Sequence, residues 1–267
     1  MAAWPRHRLT RIVMSPLAEY TPNPMDIPAT SELTENADLH ASSDEYAARF
    51  GDAVGQWMLH VQEDALFQLL DSACATVLDV GGGHGQVAIP LAQRERSVTV
   101  VGSSHLCAQR LAPFIESGTI SFKVANLIDL PYQDRSFALA TSFRLMSHCT
   151  RWRTLVAELC RVSEHAVIID YPVWMSVNIL APFLFFVKRT IEGNTRTYRM
   201  FSTRELQREF KKHGFRLECA KKQFVWPMAL HRMLESIPLS KNLEVPMRWL
   251  GITRFFGSPV VAKFVRE

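Results

Sequence analysis

From Asp44 to Asp71 apolar residues return at helical spacing: Tyr46, Ala47, Phe50, Val54, Trp57, Met58, Val61, Ala65, Leu66 and Leu69. That is the pattern of a helix burying one face, and Gly51 and Gly55 predict a break into two helices. The period then changes. Ala75–Val80 is a short strand-like run ending in glycines, followed by a predicted helix over Gln86–Glu95. Strands are predicted at Val98–Val101, Thr119–Val124, Phe137–Thr141 and Ala166–Tyr171, with helices at His105–Glu116 and Trp152–Val162. Strands alternating with helices predict a parallel sheet covered on both faces. Upstream the pattern fails. Residues 1–40 show no sustained apolar period and carry Pro5, Pro16, Pro22, Pro24 and Pro28, so they read as a flexible tail ahead of a domain spanning 41–267.

The longest apolar run, Val173–Val187, has 15 residues and includes Asn178 and Pro182. It falls short of the roughly 20 needed to cross a bilayer. A hydrophobic fraction of 48% with 21% charged residues is that of a globular chain with a substantial core. The five cysteines are scattered without a CxxC pair, which argues against a disulfide framework or a zinc site, and no metal is expected. Reduced thiols and the lack of a secretory h-region point to the cytoplasm. Arg6, Arg8 and Arg11 leave an organellar targeting peptide as the minor alternative. The net charge of +4 hides an asymmetry, since residues 188–232 hold 12 Lys+Arg against 4 Asp+Glu. That block reads either as a solvated helix face or as attraction to an anionic substrate or membrane surface.

The chemistry concentrates in Val77-Leu78-Asp79-Val80-Gly81-Gly82-Gly83-His84-Gly85, a strand ending in an acid and then glycines before a helix. Glycines there let backbone approach a ligand closely. The spacing does not fit the G-x-G-x-x-G of dinucleotide folds, because Gln86 and Ala88 stand where the third glycine belongs, and no P-loop lysine follows.

This D-x-G-x-G-x-G resembles motif I of the class I S-adenosylmethionine-dependent methyltransferases. Asn126 through Phe137, with Leu130-Pro131-Tyr132, resembles that family's segment before strand 4. His148 followed by Glu158-Leu159-Cys160-Arg161-Val162 is similar to the subgroup that includes quinone-biosynthesis methyltransferases. The resemblance implies a Rossmann-like, seven-stranded, mostly parallel sheet whose last hairpin is reversed, here at Phe215–Val225 and Pro259–Val265. It implies S-adenosyl-L-methionine as cofactor, held by Asp79, Gly81, Gly83, Gly85, Ser103, Asn126 and Leu127. Two positions depart from the family. Gly102 stands where an acid usually bonds the ribose, a loss of roughly 1.5–3 kcal/mol unless compensated, and Ala138 replaces an aspartate.

Methyl transfer needs donor and acceptor held in line, with a base only where the acceptor must lose a proton. His148, just after predicted strand 4, and Asp170 and Tyr171, at the end of predicted strand 5, are the candidate catalytic groups; His148 could equally be a structural histidine bonded to backbone, and Asp170-Tyr171 a strand-end capping pair. The segments 174–200 and 227–257 read as helical cover insertions, with Phe183, Phe186 and Arg199 as candidate contacts to a small acceptor that is apolar or partly anionic. The region Thr141-Ser142-Phe143-Arg144 lacks the (N/D)-P-P-(Y/F) of nucleic-acid amino methyltransferases, which disfavours DNA. Two rival readings stand beside the enzyme. One is a non-catalytic relative with weakened cofactor binding, suggested by Gly102 and Ala138; the other is a nucleotide-dependent oxidoreductase.

Overall fold

The computed structural model describes residues 35–174 and 198–267. Seven strands form one sheet: β1 Thr76–Val80, β2 Ser97–Gly102, β3 Ile120–Val124, β4 Phe137–Ser142, β5 Ser163–Tyr171, β6 Phe215–Phe224 and β7 Ser258–Arg266. Their order is β3-β2-β1-β4-β5-β7-β6. The pairs from β3 through β5 are parallel, and β7 runs antiparallel to both β5 and β6. The reversed last hairpin is thus present. Order reverses between β1 and β4, and at such a switch point an open α/β sheet forms its ligand crevice, outside the carboxyl ends of the strands.

Helices pack on both faces. On one, α1 Asp38–Ala41, α2 Asp44–Ala48 and α3 Ala53–Phe67 are followed by α4 Ala88–Ala92 and α5 Ala112–Glu116. Ala65, Leu66, Leu91 and Leu111 there meet Val77, Val100, Leu139 and Ile168 of the strands. On the other, α6 Trp152–Val162 and α7 Thr203–Lys212 bring Leu155, Leu159, Leu206 and Phe210 against Leu78, Ala140, Ile169 and Phe264. The Phe210 and Phe264 rings stack 3.7 Å apart. The predicted break in the first helical run falls at residues 49–52. Ser43 caps α2 and Asp52 caps α3, so Gly51 lies in the break and Gly55 inside α3. The predicted helix at 105–116 is a 3-10 turn over His105–Leu111 leading into α5, with Pro113 in its first turn.

Two polar clamps fix the loops. Arg161 donates to both oxygens of Glu158 at 2.7 Å and to the carbonyls of Leu130 and Tyr132, while Glu158 accepts from Leu130 N–H. The Glu-Leu-x-Arg motif therefore ties α6 to the loop entering β4. In the 227–257 insertion, which forms α8 Met228–Leu234, α9 Ile237–Trp249 and α10 Ile252–Phe256, the buried Glu244 accepts from Val225 N–H and Trp226 N–H and pairs with His231, each at 3.0 Å. Within the described part of the basic block, Arg199 pairs with Glu205 and Lys212 with Glu209. Among the described residues no helix is long and apolar enough to cross a membrane, and no cluster of metal-ligating side chains occurs.

Candidate cofactor cleft

The glycine loop leaves β1 at the switch point. Gly81 and Gly85 hold φ angles of 76° and 77°. Gly83 is pinned more tightly, because a Cβ there would overlap the Cys107 carbonyl and lie 2.6 Å from the Ser42 hydroxyl. A branched side chain at 83 would therefore collide with the protein itself as well as with any ligand. Asp79 is fully buried in β1. Its register partner on β4 is Thr141, whose hydroxyl donates to Asp79 Oδ1 at 2.9 Å. Asp79 Oδ2 has no partner, and burial lifts the carboxyl to about 7 against the Thr141 bond and an N–H from Ala88. A buried, unsatisfied carboxylate oxygen beside the loop is a ready acceptor for a ligand's cationic group. His84, in the same loop, also has an unpartnered buried atom, Nε2; burial and the charges of Arg110 and Arg144 depress it to about 4, so the ring is neutral.

The other expected cofactor residues are approached by an unexpected neighbour. Residues 35–42, assigned in part to the flexible tail, lie across this edge of the sheet, with Glu35, Asp38 and Ser42 buried. Glu35 N–H donates to Asn126 Oδ1 at 3.3 Å. Asp38 accepts from Ser103 N–H at 2.8 Å, from the Ser103 hydroxyl at 2.5 Å and from Cys107 Sγ at 3.3 Å. Burial raises Asp38 despite those bonds, and burial followed by the Asp38 charge pushes the Cys107 thiol up to about 12. At Gly102 a Cβ would lie 2.8 Å from Cys107 Cβ and 2.9 Å from the tip of Phe122, so β2 has no room for an acid there. Leu127 is a core residue. The space left between Ala41, Tyr46, Asp79, Gly81, His84 and Arg144 is about 20 Å³, far below the roughly 300 Å³ at which small-molecule pockets begin. A larger cavity of about 200 Å³, lined by Asp134, Arg161 and Arg266, sits at the opposite edge of the sheet, away from the glycine loop.

The candidate catalytic groups separate. Successive strand residues point to opposite faces. Asp170 lies on the Asp79 side and Tyr171 on the other, where its hydroxyl donates to Thr203 at 3.2 Å and burial pushes it up to about 12. Tyr171 is thus a core residue and does not join Asp170. Asp170 Oδ1 accepts the Arg144 N–H at 2.5 Å and so holds a residue with a φ of 58°. His148 lies in the loop after β4, its ring 5.7 Å from that of Tyr198. Arg199 is engaged away from the cleft, donating to Glu205 at 2.6 Å and lying over Trp152 and Phe201. Phe183 and Phe186 fall outside the described residues.

Sequence reasoning missed Glu35, Asp38, Tyr46 and Arg144 as residues of the cleft. The signal for the first two was present: the prolines of the tail stop at Pro28, so the compositional boundary precedes residue 40.

Residues 77–165 match the profile of a methyltransferase domain. A curated relative, the O-methyltransferase resE of Aspergillus sclerotiorum, is 29% identical over 149 residues, 47% of this chain and 56% of that protein. The chain thus spans about half the length of the curated relative it matches. Among solved structures, a SAM-dependent methyltransferase from Thermotoga maritima is similar with a TM-score of 0.59 and 18% identity, over 86% of this chain and 99% of that one. The magnesium protoporphyrin IX methyltransferase of Synechocystis PCC 6803 with bound SAH gives a TM-score of 0.57 and 14% identity, over 84% and 94%. At these identities the structural likeness concerns the fold.

Proposed function

We propose that this chain, which carries a class I S-adenosylmethionine-dependent methyltransferase domain, transfers a methyl group to an oxygen or carbon of a small, rather apolar acceptor. S-adenosyl-L-methionine, when bound, supplies an electrophilic methyl on a sulfonium. The observation that carries the reading is the glycine loop at the switch point, with the unpartnered Asp79 oxygen beside it. Asp79, Gly81, Gly83 and Gly85 would hold the amino-acid end of the cofactor, and Ser103 and Asn126 its adenosine. On this reading His148, beyond the end of β4, would take the proton of an acceptor that must lose one. Asp170 acts as a positioning residue that holds the Arg144 turn. Likeness to an O-methyltransferase favours oxygen as the acceptor atom, and a ring-bearing, quinone-like acceptor follows from the motif resemblance. Exposed Trp249, Leu250 and Phe255 support contact with a membrane surface where such an acceptor would reside. The test is calorimetric binding of S-adenosylmethionine together with methyl transfer from labelled cofactor to small phenols. No binding would overturn the proposal.

A second reading, a methyltransferase fold with weakened cofactor binding, is favoured by the position of residues 35–42. Glu35 N–H sits on the amide oxygen that an adenine amino group would use, and Asp38 fills the edge of β2 where a ribose would lie. Cofactor entry therefore requires this segment to withdraw, which lowers the apparent affinity by the fraction of molecules in which it is withdrawn. Wild-type binding weaker than millimolar, with tight binding after Asp38→Ala, would select this second reading.

A further inference from the structure

Arg232, on α8 of the 227–257 insertion, is half-buried. Its guanidinium lies 5.4 Å from the centre of the Phe50 ring, the same ring over which Arg144 sits at 4.3 Å. Arg49 lies 5.5 Å from the centre of the Tyr46 ring, itself 5.6 Å from Phe50. Three guanidiniums thus gather around two adjacent rings at the mouth of the cleft. Arg144 is bound on the protein, donating to Gln62 Oε1 at 3.1 and 2.8 Å and to the Tyr46 hydroxyl at 3.2 Å. Arg232 is not: its Nε is buried without a partner, and among the described residues no carboxylate forms an ion pair with it. Asp52 attracts it, yet that carboxylate is committed to the Gly55 N–H as the cap of α3. Burial and then the charges of Arg144 and Arg49 lower its hold on its proton. A cation kept half-buried against two others, with no carboxylate within ion-pair distance among the described residues, costs stability unless something anionic completes the site.

We propose that Arg232, with Arg144 and Arg49 beside it, is an anion-recognition site that takes the carboxylate of a small aromatic acid, the ring lying outside the closed cleft against the half-exposed Tyr46, while Phe50 beneath stays buried. This rests on the reading of the cleft as a methyl-acceptor site and names the acceptor's class: an aromatic carboxylate rather than a neutral phenol. It moves the anion-holding role expected of Arg199 to Arg232. A planar guanidinium suits a carboxylate because two parallel N–H bonds match its two oxygens.

The probes are benzoate and its neutral analogue benzamide, titrated calorimetrically into the full chain at low salt. Wild type is expected to bind benzoate at least tenfold more tightly than benzamide. Arg232→Met should lose that discrimination, and Arg232→Lys should keep part of it. Without any ligand, Arg232→Met should melt at the same temperature or higher, because it removes an unpaired cation; a purely structural ring-stacking role would lower the midpoint. Equal binding of benzoate and benzamide by wild type, unchanged discrimination in Arg232→Met, or a lowered midpoint in that variant would each overturn the proposal. S-adenosylmethionine binding by the same samples is read separately, so failure of the methyltransferase reading shows there and not in the benzoate titration.

Discussion

Asp79→Asn is a nearly isosteric change at the one buried carboxylate oxygen of the glycine loop that has no partner. In the folded chain burial holds this carboxyl at about 7, whereas an unfolded aspartate titrates near ~3.9. The native state therefore binds a proton that the unfolded state has already released. The stability this contributes is complete below about pH 4 and is lost as the pH rises through about 7. Three pH units at about 1.4 kcal/mol each set a ceiling of about 4 kcal/mol. Asparagine does not ionise, its oxygen can still accept from the Thr141 hydroxyl, and its amide fills the place of the unpaired Oδ2. Urea unfolding of both proteins between pH 5 and 8.5 provides the assay. Wild type should lose stability across that range, the variant should stay level, and above pH 7 the variant should be the more stable. The cofactor is cationic at its sulfonium and amino groups, so its affinity for wild type should rise with pH through about 7 and be flat and lower for Asp79→Asn. A variant less stable than wild type at pH 8 would refute the reasoning, because it would mean that the ionised carboxylate is well satisfied in the fold.

Asp38→Ala removes three hydrogen bonds that hold residues 35–42 on β2; S-adenosylhomocysteine should bind several-fold more tightly, and amide exchange at 35–42 should quicken. Unchanged exchange would count against a displaceable segment. Gly102→Asp, which would restore the acid usual in the family, meets Cys107 and Phe122 instead; it should lower the melting temperature and leave cofactor affinity no better. Glu158→Ala breaks the clamp on Arg161 and leaves Leu130 N–H unpaired, at a cost of about 2–3 kcal/mol. In wild type the hydrogen bonds and charge of Arg161 and the Leu130 N–H outweigh burial and hold Glu158 below its usual range, so the clamp's contribution is lost as the pH falls through that lowered value. Denaturant unfolding at pH 7 and pH 3 checks both statements.

The central strands were legible because β1, β2 and β4 are short, mostly apolar runs, as buried parallel strands are, whereas β6, with Arg216, Glu218, Lys221 and Lys222, was placed through the family resemblance. Trp152–Val162 appears with its predicted bounds, since its buried face recurs at helical spacing from Trp152 through Leu155, Val156, Leu159 and Cys160. Less legible were elements defined by contacts instead of by period. The helix expected at 86–95 shortens to Ala88–Ala92, its first residues being held in the glycine loop, where Gly85 N–H bonds the Gly82 carbonyl. Asp170 and Tyr171 looked alike as strand-end polar groups, and only the pleat of β5 sends one to the cleft and the other to the core. Charge was the least informative signal: Arg199 and Arg232 both belong to the basic block, yet Arg199 donates to Glu205 at 2.6 Å, whereas Asp52, the acid that attracts Arg232, makes no ion pair with it.

Gly102 shows how far a missing motif residue can mislead when read alone. As a sequence feature it says that a ribose-binding acid has been lost. In the fold, Cys107 and Phe122 close over Gly102, while the carboxylate of Asp38, 65 positions away from Ser103 along the chain, reaches the same edge of β2 and bonds the Ser103 N–H. Negative charge at this edge has therefore moved from the strand to a short helix held chiefly by polar contacts. A carboxylate fixed on a strand is part of a rigid framework, but one carried on α1 can leave with it. On the second reading proposed above, cofactor affinity would depend on the equilibrium of residues 35–42 as well as on the glycine loop. On that reading Asp38 is the residue to change, because burial opposes its charge while Ser103 and Cys107 hold it in place.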